Sequence, residues 1–180
     1  MTCIVGLEHE GDVWIGGDGL ATAGWLAIPL GEEKVFFNGE MLFGVCGTMR
    51  VAHLLRYALT IPEQSVRKTD ISYIATDLVD AIRALFGQKG FLEKHDEKES
   101  GGCFLVGHKG KCYRVDADWS VISASDGMLA IACGAEFALG ALHATEGKPP
   151  EERIQIALGA ASRFSVGVKG PFTIQKGRRL

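Results

Sequence analysis

Residues 34–47, KVFFNGEMLFGVCG, set Asn38-Gly39 between two apolar runs. Asn-Gly admits the positive backbone angles of a tight turn whose twist matches its flanking strands, so this stretch predicts a β-hairpin. A second hairpin is predicted upstream, where residues 3–8 and 13–18 read as strands around Glu10-Gly11. Hairpins commit their strands to antiparallel pairing, because a two-residue turn cannot serve a parallel crossover. Between them, residues 19–33, GLATAGWLAIPLGEE, are rich in small residues and predict a loop or an irregular strand.

After the second hairpin, Val51, Leu54, Leu55 and Ala58 recur at helical spacing behind Thr48, and Pro62 ends the segment. Thr69-Asp70 heads a longer helix with Ile71, Ile74, Leu78, Ile82 and Leu85 on one stripe and Gly87 and Gly90 beyond its end. The run EKHDEKESGG predicts an exposed connection; its acidic residues from Glu93 to Glu99 read as a solvated charge run or as the lining of an entrance. Strands follow at GCFLVG, KCYRVD and MLAIAC, the first two joined at Lys109-Gly110. Helices are predicted over 135–144 and 151–163, Ala- and Gly-rich on their packing faces, with Pro149-Pro150 opening the second and a last strand at 172–175. Strands, two helices, strands, two helices: this order argues for an α+β layered domain spanning 1–180, with antiparallel sheets under helices, rather than alternating βαβ units.

Several function classes fall away on composition. A net charge of -3 without any Lys/Arg stripe leaves no electrostatic footprint for nucleic acid. Five cysteines without a CxxC pair predict free thiols in a reducing compartment, and scattered histidines such as His53 and His143 predict no metal site. GGDG lacks the spacing of a phosphate loop, so no cofactor is expected. No apolar run reaches the ~20 residues of a membrane span and the N-terminus lacks signal-peptide character, which predicts a cytoplasmic protein without a membrane partner.

The N-terminal residues carry chemistry. With Glu10-Gly11 as turn, Thr2 falls opposite Gly19, one step from Asp18; with Asn38-Gly39 as turn, Lys34 falls opposite Phe43 and beside Gly44. If the two hairpins are sheet neighbours, Thr2, Asp18, Lys34 and the turn from Gly44 to Gly47 converge. A Thr hydroxyl is a poor nucleophile unless a base takes its proton, and a free α-amine on the same residue, with a pKa of about 7.7–8.0, is such a base. A lysine close by keeps that amine neutral and assists deprotonation, an aspartate holds the lysine, and backbone N–H groups of a glycine turn stabilise an oxyanion. This chemistry requires removal of Met1. Cys3, beside Thr2, reads as a buried small hydrophobe.

The stretches TCIVGLEHEGDVWIGGDG, ATAGWLAIPLGEEKV, NGEMLFGVCG, IACGAEFALGALHAT and SRFSVGV, which together span nearly the whole chain, resemble the β-type subunits of the proteasome family, the N-terminal-nucleophile hydrolases that include the bacterial HslV peptidase. The resemblance implies a four-layer αββα sandwich of two antiparallel sheets flanked by helices. It implies Thr2 as nucleophile, Asp18 and Lys34 as its partners, Gly47 or Thr48 as oxyanion donor, and Ser165 as the residue ordering the amine. Two positions depart from the family pattern: Cys133 stands where many relatives carry serine, and Ser162 where they carry aspartate, which removes a carboxylate beside the amine. The implied activity is threonine-type peptide hydrolysis through an acyl-enzyme, in homo-oligomeric stacked rings fed with unfolded protein by an ATPase unfoldase. An inactive ring subunit and a small-amide amidase are the alternatives.

Overall fold

The computed structural model of the chain describes residues 1–95 and 98–177. Glu10 and Gly11, at φ 51° and 85°, form the turn between β1 (Ile4–His9) and β2 (Asp12–Gly17), and Ile4 pairs with Gly17 as the sequence predicts. Residues expected as a loop or irregular strand instead form a short hairpin, β3 (Leu20–Ala23) and β4 (Leu26–Pro29), turning at Gly24 with φ 59°.

The next hairpin, β5 (Val35–Asn38) and β6 (Met41–Val45), corrects the expected register. Asn38 pairs with Met41, so the turn residues are Gly39 and Glu40. The cause is tertiary: Asn38 Nδ2 donates to Leu55 O at 2.7 Å and Leu59 O at 2.9 Å, capping carbonyls at the end of α1 (Met49–Tyr57) and holding Asn38 in the strand. Gly39, with φ 56°, then takes the first turn position. Lys34 consequently lies opposite Val45, whose amide donates to Lys34 O at 2.9 Å, and not opposite Phe43.

Thr48 caps α1 through Arg50 N, and Thr69 caps the following helix through Ser72 N. That helix runs as α2 (Asp70–Tyr73), a π-helical segment Ile74–Leu78 and α3 (Val79–Gln88); Gly87 lies within it, and Gly90, at φ 65°, follows its end. In place of a plain connection stand β7 (Glu93–His95) and β8 (Lys98–Ser100). The entrance reading of the acidic run falls on residues 96 and 97 and on neighbouring side chains outside the described residues, while Glu99 pairs with Arg83 at 2.7 Å. Then come β9 (Phe104–His108), β10 (Lys111–Val115), β11 (Val121–Ile122), β12 (Met128–Ile131), α4 (Ala135–Ala144), α5 (Pro150–Phe164) and β13 (Thr173–Gly177). The β9–β10 turn at Lys109-Gly110 has φ of 47° and 79°, as the sequence predicts.

Among the described residues the main sheets have the orders β12-β1-β2-β13 and β11-β10-β9-β6-β5, with antiparallel pairing throughout. The β1–β2 and β5–β6 hairpins therefore lie in different sheets and face each other, so the convergence considered for sheet neighbours is reached instead across the sandwich. Their residue pattern explains this. Cys3, just before β1, and Val5 and Leu7 within it pack under α4 and α5, while Ile4 points the other way, against Val35, Leu42 and Leu105. On β6, Phe43 and Val45 pack under α1 and α3, while Leu42 joins the inter-sheet layer. A strand apolar on both faces needs cover on both, and the result is four layers, αββα, with three apolar cores.

The sheets approach closely at glycine. A Cβ on Gly44 would stand 2.5 Å from Ile4 Cγ2 and 2.7 Å from Ile15 Cγ2, both in the opposing sheet. Gly44→Ala is expected to destabilise the fold by about 1–3 kcal/mol through overpacking. A denaturant midpoint unchanged from wild type contradicts the close packing.

Candidate active site

The β1–β2 register places Thr2, just before β1, beside Asp18, just after β2. Cys3 N donates to Asp18 Oδ1 at 3.0 Å, and Asp18 N to Cys3 O at 3.3 Å. Lys34, at the start of β5, reaches across from the opposing sheet. Its ammonium donates to Leu20 O at 2.6 Å, Asp18 Oδ1 at 2.8 Å and Thr2 Oγ1 at 3.0 Å, which matches its three hydrogens to three acceptors. The other carboxylate oxygen, Asp18 Oδ2, accepts from Leu20 N at 3.1 Å. Thr2, Asp18 and Lys34 are 3%, 2% and 5% exposed, so the ion pair is desolvated and survives on its mutual attraction and saturated hydrogen bonding.

The main chain of Thr2 is held from the other side. Thr2 N donates to Cys133 Sγ at 3.3 Å, the Cys133 thiol donates to Thr2 O at 3.2 Å, and Gly134 N donates to the same carbonyl at 3.3 Å. Ser165 Oγ lies 3.3 Å from Cys133 Sγ. With the thiol hydrogen on Thr2 O, it is the Ser165 hydroxyl that donates to sulfur. Ser165 owes its place to the end of α5, where its amide caps Ala161 O at 2.8 Å. Ser162, one turn earlier, is half-buried, and its carbonyl accepts from Lys169 Nζ at 3.2 Å. Among the described residues no hydrogen bond joins the Ser162 hydroxyl to Thr2, Cys133 or Ser165.

Gly47, at φ 87°, forms the bend between β6 and α1 and, with Thr48 and Met49, makes one wall of a cavity of about 230 Å³. Thr2 and Lys34 line its floor, and residues 20–22 of β3 make the opposite wall. Met1 also lines this cleft: its amino group donates to Thr22 Oγ1 at 3.2 Å, its carbonyl accepts from Thr2 Oγ1 at 2.7 Å, and its side chain lies against Gly167.

Leu20 was invisible to side-chain reasoning, because its contribution to the site is backbone N–H and C=O alone. Cys3 is fully buried, and burial, with smaller contributions from Asp18 and Cys133, pushes its thiol up to about 12, which suits a packing role. Among the described residues no group of three or more His, Cys, Asp or Glu side chains is arranged to hold a metal ion, and no helix is long and apolar enough to cross a membrane.

No family profile matches the chain. A curated relative does: the ATP-dependent protease subunit HslV of Pediococcus pentosaceus, 25% identical over 178 residues, covering 96% of this chain and 88% of the relative. Among solved structures, Thiobacillus denitrificans BPH superposes with a TM-score of 0.82 at 19% identity, over 99% of both chains. Eukaryotic HslV from Trypanosoma brucei superposes with a TM-score of 0.71 at 20% identity, over 97% of this chain and 98% of that one. The chain is HslV-like in sequence and in fold. The αββα arrangement of this HslV-like chain is thus the N-terminal-nucleophile hydrolase fold, as the motifs around Thr2 imply.

Within that HslV-like frame the Lys34–Asp18 pair is the interaction most exposed to disruption. Lys34→Met leaves the Asp18 carboxylate buried with backbone amides alone and is expected to lower stability by about 3–5 kcal/mol. Adding Asp18→Asn removes the stranded charge and returns part of the loss. Equilibrium denaturation of wild type and both variants checks this; a Lys34→Met protein as stable as wild type contradicts it.

Proposed function

We propose that the protein is an N-terminal threonine peptidase of the proteasome and HslV type, hydrolysing peptide bonds through an acyl-enzyme on Thr2 once Met1 is removed. The observation that carries this reading is the Lys34 ammonium, buried and divided between Asp18 Oδ1 and the Thr2 hydroxyl. A structural lysine is satisfied by a carboxylate and carbonyls; this one also aims a hydrogen at the oxygen lone pair that would attack.

Removal of Met1 converts Thr2 N from an amide into a free amine beside Cys133 Sγ, and widens the cleft along residues 20–22. Thr2 Oγ1 then attacks the scissile carbonyl while its proton passes to the amine, a general-base contribution of about 10²–10⁴-fold. Lys34 stabilises the developing alkoxide, and the N–H of Gly47, or of Thr48, stabilises the oxyanion. The protonated amine delivers its proton to the leaving nitrogen, leaving an ester on Thr2. Water, deprotonated by the same amine, hydrolyses the ester and restores the hydroxyl. Cys133, backed by Ser165, orients the amine in place of the family's serine. Ser162 supplies no carboxylate, so that orientation rests on sulfur and hydroxyl.

The substrate class is peptide or unfolded protein. The HslV relative is by name a subunit of an ATP-dependent protease, which supports an ATP-dependent partner for this chain; homo-oligomeric stacked rings and an ATPase unfoldase are what the family resemblance implies. The free state of all five cysteines fits the cytoplasm. An inactive ring subunit is the second reading, favoured by Ser162, which leaves the site without the carboxylate that relatives carry beside the amine.

BPH is also solved in complex with Epoxomicin. A peptide epoxyketone of that kind reacts with a hydroxyl and a free amine on one residue. Intact mass before and after its addition is expected to show a chain lacking Met1 that gains one adduct, absent in Thr2→Ala. A chain that retains Met1 and takes no adduct assigns the protein to the inactive class.

A further inference from the structure

We propose that Cys46 and Cys103 are a redox pair that closes into a reversible disulfide on contact with a hydroperoxide, one residue from the Gly47 turn. That the bridge affects catalysis rests on the peptidase reading; that it forms does not.

Geometry brings the pair together. Val45 of β6 lies opposite Phe104 of β9, and one step further Cys46 lies opposite Cys103. There Cys46 N donates to Cys103 O at 3.4 Å and Cys46 Sγ to the same carbonyl at 3.1 Å. Directly opposed residues of an antiparallel pair have Cα atoms about 4.5–5.5 Å apart. A disulfide spans about 4.4–6.8 Å between Cα atoms, so the bond needs side-chain rotation and little backbone movement. Both residues are half-buried and line a cavity of about 280 Å³ with Gly47 and Thr48, open enough to admit a small oxidant. The other cysteines lack this arrangement. Cys3 and Cys112 are fully buried, and Cys133 is engaged with Thr2 and Ser165.

The two thiols are chemically unequal. A side-chain hydrogen bond from the Cys103 thiol to the Cys46 sulfur, distinct from the bond to the Cys103 carbonyl, holds Cys46 below the ordinary thiol range, and the charges of Lys34 and Arg114 add to this against the opposing effect of burial. Cys103 is pushed up by the same hydrogen bond, by burial, and by the nearby negative charges of Cys46 and Asp116. Asp116 Oδ1, itself fixed by Arg114 Nε at 2.7 Å, lies 3.7 Å from Cys103 Sγ, positioned to accept its proton. Cys46 is therefore the attacking sulfur and Cys103 the resolving one.

The chemistry balances without a metal. Cys46 sulfur attacks one peroxide oxygen, the O–O bond breaks, and the departing oxygen takes up a proton, leaving Cys46 as sulfenic acid. Cys103 sulfur then attacks Cys46 sulfur, the S–O bond breaks, and hydroxide leaves as water with the Cys103 proton. With hydrogen peroxide, two thiols and one peroxide give one disulfide and two waters; the thiols lose two electrons and the peroxide gains them. A bridge at this point ties the end of β6, and with it the Gly47 amide, to β9. Turning the Cys46 sulfur off the Cys103 carbonyl and into the bond reshapes the cavity wall it shares with Gly47 and Thr48, and because rate is sensitive to small misplacements at a reacting site, the oxidised protein is expected to take up an epoxyketone at least about tenfold more slowly.

The test treats the full-length protein with hydrogen peroxide, blocks remaining thiols with N-ethylmaleimide under denaturing conditions, and maps peptides by mass. The expected product is one cross-link between the peptides carrying Cys46 and Cys103, with the other cysteines alkylated and the link reversed by dithiothreitol. The same link forms in Thr2→Ala, so the bridge and the peptidase reading succeed or fail separately. In Cys103→Ser, the sulfenic acid persists on Cys46 and is captured by dimedone. Alkylation of both Cys46 and Cys103 after peroxide, or oxidation confined to Cys133, overturns the pair. A bridged protein that takes up the epoxyketone as fast as the reduced one overturns its link to the Gly47 turn.

Discussion

One ammonium group, that of Lys34, joins the two sheets where the candidate site lies. Burying a charge in this way is unfavourable by several kcal/mol per ion unless attraction and hydrogen bonding offset it. Asp18, Leu20 O and Thr2 Oγ1 supply that offset, and they all belong to the opposing sheet or its continuation. The ion pair therefore exists only when the sandwich is closed. Folding and assembly of the candidate site are one event, and the Thr2 hydroxyl is held by the interaction that reports closure.

Closure in turn depends on apolar layers and small residues. Ile4, Ile15, Val35, Leu42 and Leu105 fill the space between the sheets, each worth about 1.5–3 kcal/mol on full burial. Glycines at 6, 17, 44 and 107 let these side chains interdigitate, since an added Cβ at each would come within 3.0 Å of a neighbouring side chain. The outer helices cover what remains apolar, and α5 also delivers Ser165 to Cys133 at its C-terminal end. One set of residues thus both packs the core and sets the distances at Thr2.

Much of this was legible in the chain itself, and the failures have physical causes. Glu10-Gly11 and Lys109-Gly110 were readable because local backbone preference alone decides such turns. The Asn38-Gly39 turn slid by one residue because Asn38 has a tertiary use at the end of α1, which no local pattern discloses. That the hairpins face each other depends on which side of each strand is covered, a property of the assembled layers. Thr2, Asp18, Lys34, Cys133 and Ser165 were legible by motif, and the structure brings them into one network. Ser162 stays outside that network, and Leu20 acts through backbone atoms that its side chain does not announce.

The measurement that bears most directly on the role of Thr2 is a crystal structure of the protein after reaction with a peptide epoxyketone. The account predicts electron density for a six-membered ring closed through both Thr2 N and Thr2 Oγ1, with Lys34 Nζ within hydrogen-bond distance of that oxygen and the peptide lying between residues 20–22 and Gly47. An inhibitor bound to a cysteine sulfur, or density showing Met1 still seated over an unmodified Thr2, would contradict it.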